Sequence, residues 1–109
     1  MAVASAIAPS ERAAMFGLLA DPLRLRIVEL LAGEELCTCH LIAETGAKQT
    51  TISHHLRILR EAGAVTAAED GRFTWYRITP HLLDALAASL AELAEGAVRA
   101  GRQRVPCAP

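Results

Sequence analysis

What this chain has little of removes several classes of function. No apolar run approaches the roughly 18 residues that a membrane span needs. The alanine-rich start, Met1 to Pro9, has no basic segment followed by a long apolar core. A cytoplasmic protein with no membrane partner is therefore expected. Cysteine is sparse and odd in number, three in 109 residues, so the thiols should stay reduced and open to metal instead of forming a disulfide framework. No nucleophile has a neighbouring base, no glycine-rich loop is shaped for phosphate, and no complete catalytic metal pattern occurs. An enzyme is not expected. There is no internal repeat, and the length leaves room for one modest core and no second domain.

Net charge is also nearly absent, at −1, which argues against indiscriminate attraction to nucleic acid. The charge is unevenly spread, however. Residues 1–47 carry net −3, whereas residues 48–77, with Lys48, Arg57, Arg60, Arg72 and Arg77, carry net +2. Attraction to phosphate can therefore act locally.

That basic stretch holds the most informative segment, Ile52-Ser-His-His-Leu-Arg-Ile-Leu-Arg-Glu-Ala-Gly63. At about 100° per residue, Ile52, Leu56 and Leu59 gather on one side of a helix from Gln49 to Ala62, while Thr50, Ser53, His54 and Arg57 turn away. Short hydroxyls, an imidazole and a guanidinium are the groups that reach base edges and phosphate oxygens. Gln49, Thr50, Thr51, Ser53, His54 and Arg57 are thus candidate DNA contacts, with Arg72 beside them at the tip of a following hairpin. His55 flanks the apolar side and is read as a packed, hydrogen-bonded imidazole.

The remaining elements follow from caps and periodicity. Ser10 to Leu19 reads as a first helix with Ser10 as its cap. Asp21-Pro22 opens a second over Leu23 to Ala32, closed by Gly33. Leu36 to Glu44 reads as a short third helix stopping at Gly46, so that a helix-turn-helix follows. Beyond Gly63, Ala64 to Ala68 and Phe73 to Thr79 are strand-forming and flank a hairpin signal at Asp70-Gly71. One of Trp75 and Tyr76 should pack inward. A last helix runs from His81 to about Ala100, with Leu82, Leu86, Leu90, Leu93 and Ala97 on one face. A second copy of the chain could cover that stripe. The expected fold is mainly α with a small β-hairpin, a winged helix-turn-helix over residues 10–100 between flexible segments 1–9 and 101–109, dimeric through the terminal helices.

This order of elements, together with Glu35-Leu-Cys-Thr-Cys-His-Leu41, Asp21-Pro-Leu-Arg-Leu-Arg-Ile27, Gly71-Arg-Phe-Thr-Trp-Tyr-Arg-Ile78 and the segment ending at Gly63, resembles the ArsR/SmtB family of metal-sensing winged-helix repressors. The likeness covers roughly residues 10–95. It implies a homodimer that binds double-stranded operator DNA and releases it when metal binds.

Cys37 and Cys39 stand where arsenite and soft-metal sensors of that family place thiolates. Sulfur suits As(III) and other thiophilic ions. In a regular helix, side chains two apart diverge by about 200°, so both sulfurs could grip one ion only if the turn unwound. The arsenite-sensor pattern has a third cysteine where this chain has Ile42, and an acidic residue where it has His40. Cys107 from the tail, or a ligand other than sulfur, would complete the site.

A second candidate resembles the family's terminal-helix site for Ni(II), Zn(II) or Co(II). His81, Glu92 and Glu95 share a face, but His81 and Glu92 lie about 16 Å apart along one helix. An antiparallel partner helix would bring His81 of one chain to Glu92 and Glu95 of the other. Two rival roles also stay open, a thiol redox switch and a winged-helix protein-interaction module.

Overall fold

The computed structural model describes residues 7–107. Of the segments expected to be flexible, residues 1–6 and 108–109 therefore lie outside the described residues. The order of elements is α1 (Pro9–Leu18), α2 (Pro22–Gly33), β1 (Leu36–Cys37), α3 (Thr38–Thr45), α4 (Gln49–Glu61), β2 (Val65–Asp70), β3 (Phe73–Ile78) and α5 (Pro80–Arg99). Residues 101–107 carry no helix or strand. No helix among the described residues is long and apolar enough to cross a membrane.

Local chemistry explains most of the helix boundaries. Pro9 occupies the first turn of α1, where its missing N–H costs nothing, so the helix begins one residue before Ser10, and Ala8 takes the cap position expected for Ser10. Asp21 caps α2 as expected, accepting from the Leu23 and Arg24 amides at 3.0 Å each. Gly33 is the last residue of that helix and not a left-handed cap.

The turn between α3 and α4 rests on two residues. Thr45 Oγ1 donates to the Leu41 carbonyl at 2.7 Å and accepts from the Ala47 amide at 3.2 Å. Gly46 then adopts φ 73°. A Cβ at Gly46 would meet nothing within 4 Å, so Gly46→Ala should carry only the backbone penalty of a left-handed L-residue, about 1–2 kcal/mol. Urea denaturation should show the midpoint falling with an unchanged slope.

Leu36 and Cys37 were expected to start the third helix, but they form a strand. They pair antiparallel with Tyr76 and Trp75. The sheet order is β1-β3-β2, so the expected hairpin gains a third strand. The wing turn is two residues long, Gly71 and Arg72, between the paired residues Asp70 and Phe73. Gly71 takes φ 65° and Arg72 a negative φ, the pattern of a hairpin turn with glycine first.

Ile27, Val28 and Leu31 from α2, Leu41 from α3, and Ile52, Leu56 and Leu59 from α4 form the centre of the core. Val65 and the first leucines of α5, Leu82 and Leu86, close it. Each fully buried Leu or Ile contributes roughly 1.5–3 kcal/mol of transfer free energy. Tyr76 packs against this core. Further along α5, Leu90 is 55% exposed and Leu93 70%, so within one chain only half of the leucine stripe is covered. The molecule is elongated, with extents of 66 × 30 × 21 Å and a radius of gyration of 18.3 Å.

Candidate metal centre and nucleic-acid face

The strand at Leu36–Cys37 changes the geometry expected of the two cysteines. Cys37 is not a helical residue but the cap of α3, with φ −91° and ψ 169°. The expected divergence of about 200° applies only when both residues lie inside a helix. Here Cys37 Sγ, Cys39 Sγ and a His40 ring nitrogen all lie within 4.8 Å of one another. No turn has to unwind for both sulfurs to reach one ion, which corrects the distortion expected from the spacing.

His40 binds this corner together. Its Nδ1 accepts from the Cys37 amide at 3.1 Å and lies 3.2 Å from Cys37 Sγ. The ring sits 5.5 Å from that of Trp75 on β3. Burial pushes the Cys37 thiol up, but the Cys39 thiol and the His40 and Cys39 amides aimed at Sγ together outweigh it and hold Cys37 below the usual thiol range. Cys39 moves the opposite way, because its own proton is engaged by Cys37 and its charge would repel that of Cys37. Two sulfurs brought together at a helix start make a ready acceptor for a soft ion.

Cys37 is buried and Cys39 exposed. Both line a cleft of about 330 Å³ whose other walls include Ile42 of α3, Gln49 of α4 and Arg72, Phe73 and Thr74 of the wing. The cysteines therefore border the space between the start of α4, the candidate DNA-reading helix, and the wing tip. The importance of His40 was not legible beforehand, although its place beside two thiols was a signal that could have been used.

The other proposed ligands are not gathered in this way. Cys37, Cys39 and His40 are the only group of three such residues within reach of one ion among the described residues. Cys107 is exposed and is not part of this group. His81 and Glu95 are exposed and Glu92 is half-buried, and a single chain does not bring the three together.

On α4, Ile52, Leu56 and Leu59 are buried. Gln49, Thr50, Ser53, His54 and Arg57 are exposed and Thr51 is half-buried, matching the two faces read from the periodicity. Arg57 contacts His54 Nδ1 at 3.2 Å, so the two form one polar unit on the surface. Arg72 is exposed at the wing tip.

Behind this face a polar cluster fixes the helix to its neighbours. The Arg24 guanidinium donates to the Leu18 carbonyl at 2.9 Å and lies 3.2 Å from His55 Nδ1. His55 Nε2 is 3.7 Å from the Asp21 carboxylate. With a cation on Nδ1, the neutral Nε2–H tautomer is favoured. Desolvation keeps the His55 pKa below its usual value against the pull of Asp21. His55 is thus the packed imidazole expected of it.

Comparisons with known proteins agree with this arrangement. The family model described as "Bacterial regulatory protein, arsR family" matches residues 21–67, from the cap of α2 into β2. An uncharacterized HTH-type transcriptional regulator of Methanocaldococcus jannaschii is 46% identical over 70 residues, which is 62% of this chain and 79% of that protein. The arsenical resistance operon repressor of Staphylococcus aureus is 36% identical over 74 residues, 68% of this chain and 71% of its own. A solved structure of a possible transcriptional regulator for arsenical resistance is 38% identical with a TM-score of 0.66, covering 81% of this chain and 97% of that one. The chain belongs to the arsR family of bacterial regulatory proteins.

Proposed function

We propose that this protein is a homodimeric transcriptional repressor that leaves its operator when a thiophilic ion binds Cys37 and Cys39. The observation that carries this reading is one cleft shared by the two converged sulfurs, the first residue of the reading helix and the wing tip. An ion held there lies beside the groups assigned to DNA, so occupancy and DNA binding are coupled over a short distance. The stitching of Cys37 to Trp75 through β1 and β3 adds a second route, from the sulfur-bearing residue into the wing. The relatives named as arsenical resistance repressors support As(III) as the ion.

On the DNA side, α4 enters the major groove with Ser53, His54 and Arg57 leading, and Arg72 approaches the flanking backbone or minor groove. The experiment is fluorescence anisotropy with DNA from upstream of the protein's own gene. We expect salt-sensitive binding that arsenite reverses. Ser53→Ala and His54→Ala should each weaken specific binding by about 3- to 10-fold, the worth of one hydrogen bond, with the thermal midpoint unchanged. Unaltered operator affinity in both variants would refute the assigned face.

A further inference from the structure

Two sulfurs are fewer ligands than trivalent arsenic needs. As(III) forms three bonds and keeps a lone pair in the fourth direction, and the chain offers no third sulfur at this place. Ile42 lines the cleft where the next sulfur would come from, and Cys107 lies outside the group. The Nδ1 of His40 already accepts from the Cys37 amide, and imidazole is a poor ligand for As(III). Beside the half-buried hydroxyls of Thr38 and Thr74, the cleft is lined by two longer donor side chains, Arg72 and Gln49. Both are exposed.

We infer that arsenite binds here with one hydroxyl retained, and that Arg72 and Gln49 grip that oxygen. The inference rests on the proposed role of Cys37 and Cys39. Arsenous acid, As(OH)3, exchanges two As–O bonds for two As–S bonds. The two thiol protons leave with the two displaced hydroxides as water, arsenic stays trivalent, and the third As–OH bond is untouched. The remaining oxygen then accepts from the Arg72 guanidinium and the Gln49 amide, residues that line the cleft from outside α3. A guanidinium suits this task because it presents several donors and never loses its charge.

The consequence concerns regulation. Arg72 and Gln49 are also the wing-tip and helix-start residues assigned to DNA, so the bound hydroxyl and a DNA phosphate compete for the same donors. Release then requires only the redirection of two surface side chains. The same geometry confers selectivity, since a soft ion lacking a bound oxygen forfeits this grip.

The test uses the full-length reduced protein without DNA, titrated with arsenite and with phenylarsine oxide and followed by sulfur-to-arsenic absorption. Phenylarsine oxide also takes two thiolates, but a phenyl group fills its third position and no hydroxyl remains. In Arg72→Met, and to a smaller extent in Gln49→Leu, the affinity for arsenite relative to phenylarsine oxide should fall by about tenfold, the worth of a charge-assisted hydrogen bond. A general disturbance of the cleft would move both affinities alike. An unchanged ratio in both variants overturns the inference and leaves the cysteine site standing. Binding of phenylarsine oxide that survives intact in Cys37→Ser overturns the cysteine site itself.

Discussion

Cys37→Ser should keep operator affinity within about twofold, since Ser can serve the same cap, yet lose arsenite-driven release. Serine is among the best helix caps, and its hydroxyl can take over the role that Cys37 Sγ plays towards the His40 amide. The pairing of Leu36 and Cys37 with β3 runs through the backbone and does not depend on the side chain. What disappears is the second sulfur. Once one thiolate holds the ion, the other binds intramolecularly, and losing it should lower ion affinity by about 10²- to 10⁴-fold. Titrating anisotropy with arsenite measures the release. The single tryptophan, Trp75, packed against the His40 ring at 5.5 Å, gives an independent signal, and its emission should respond to arsenite in the parent protein and not in the variant. Arsenite-driven release that persists in Cys37→Ser would move the effector site elsewhere.

The other large effect is expected on α5. Changing Leu90 and Leu93 together to Asp should give a folded monomer whose operator affinity is lower by about 10²- to 10⁴-fold, because two linked reading helices bind far better than one. Leu90 and Leu93 are 55% and 70% exposed. They lie on the stripe that Leu82 and Leu86 begin in the core, so the apolar face continues past the point where its own chain covers it. An isologous interface would bury each leucine twice, at roughly 1.5–3 kcal/mol per side chain. Sedimentation equilibrium gives the mass and circular dichroism the fold. A parent protein that is monomeric at micromolar concentration, or a variant that stays dimeric, would remove α5 as the interface.

The parts of this molecule that were legible beforehand are those governed by neighbours in sequence. The two faces of α4 follow from helical periodicity alone, and the caps at Asp21 and Gly46 follow from the chemistry of the capping residue. The candidate metal centre depends on something else. Leu36 and Cys37 become a strand only because Tyr76 and Trp75, about 40 positions away, supply the ladder. That single non-local pairing takes Cys37 out of the helix, turns its sulfur towards Cys39 and presents its amide to His40. Reading Cys37-x-Cys39 as helical was locally consistent and gave the wrong geometry. For the terminal helix, the leucine spacing was visible, but a stripe on its own does not say where the intramolecular core ends. Only the packing shows that the division falls between Leu86 and Leu90.

The elongated outline affects how the size of this protein should be measured. Its radius of gyration is 18.3 Å, whereas a compact domain of about 100 residues has about 13 Å. A gel-filtration column sorts by hydrodynamic radius, so one chain would elute with heavier spherical standards and pass for a pair. Scattered-light intensity responds to mass irrespective of outline, and would tell one subunit from two without that bias.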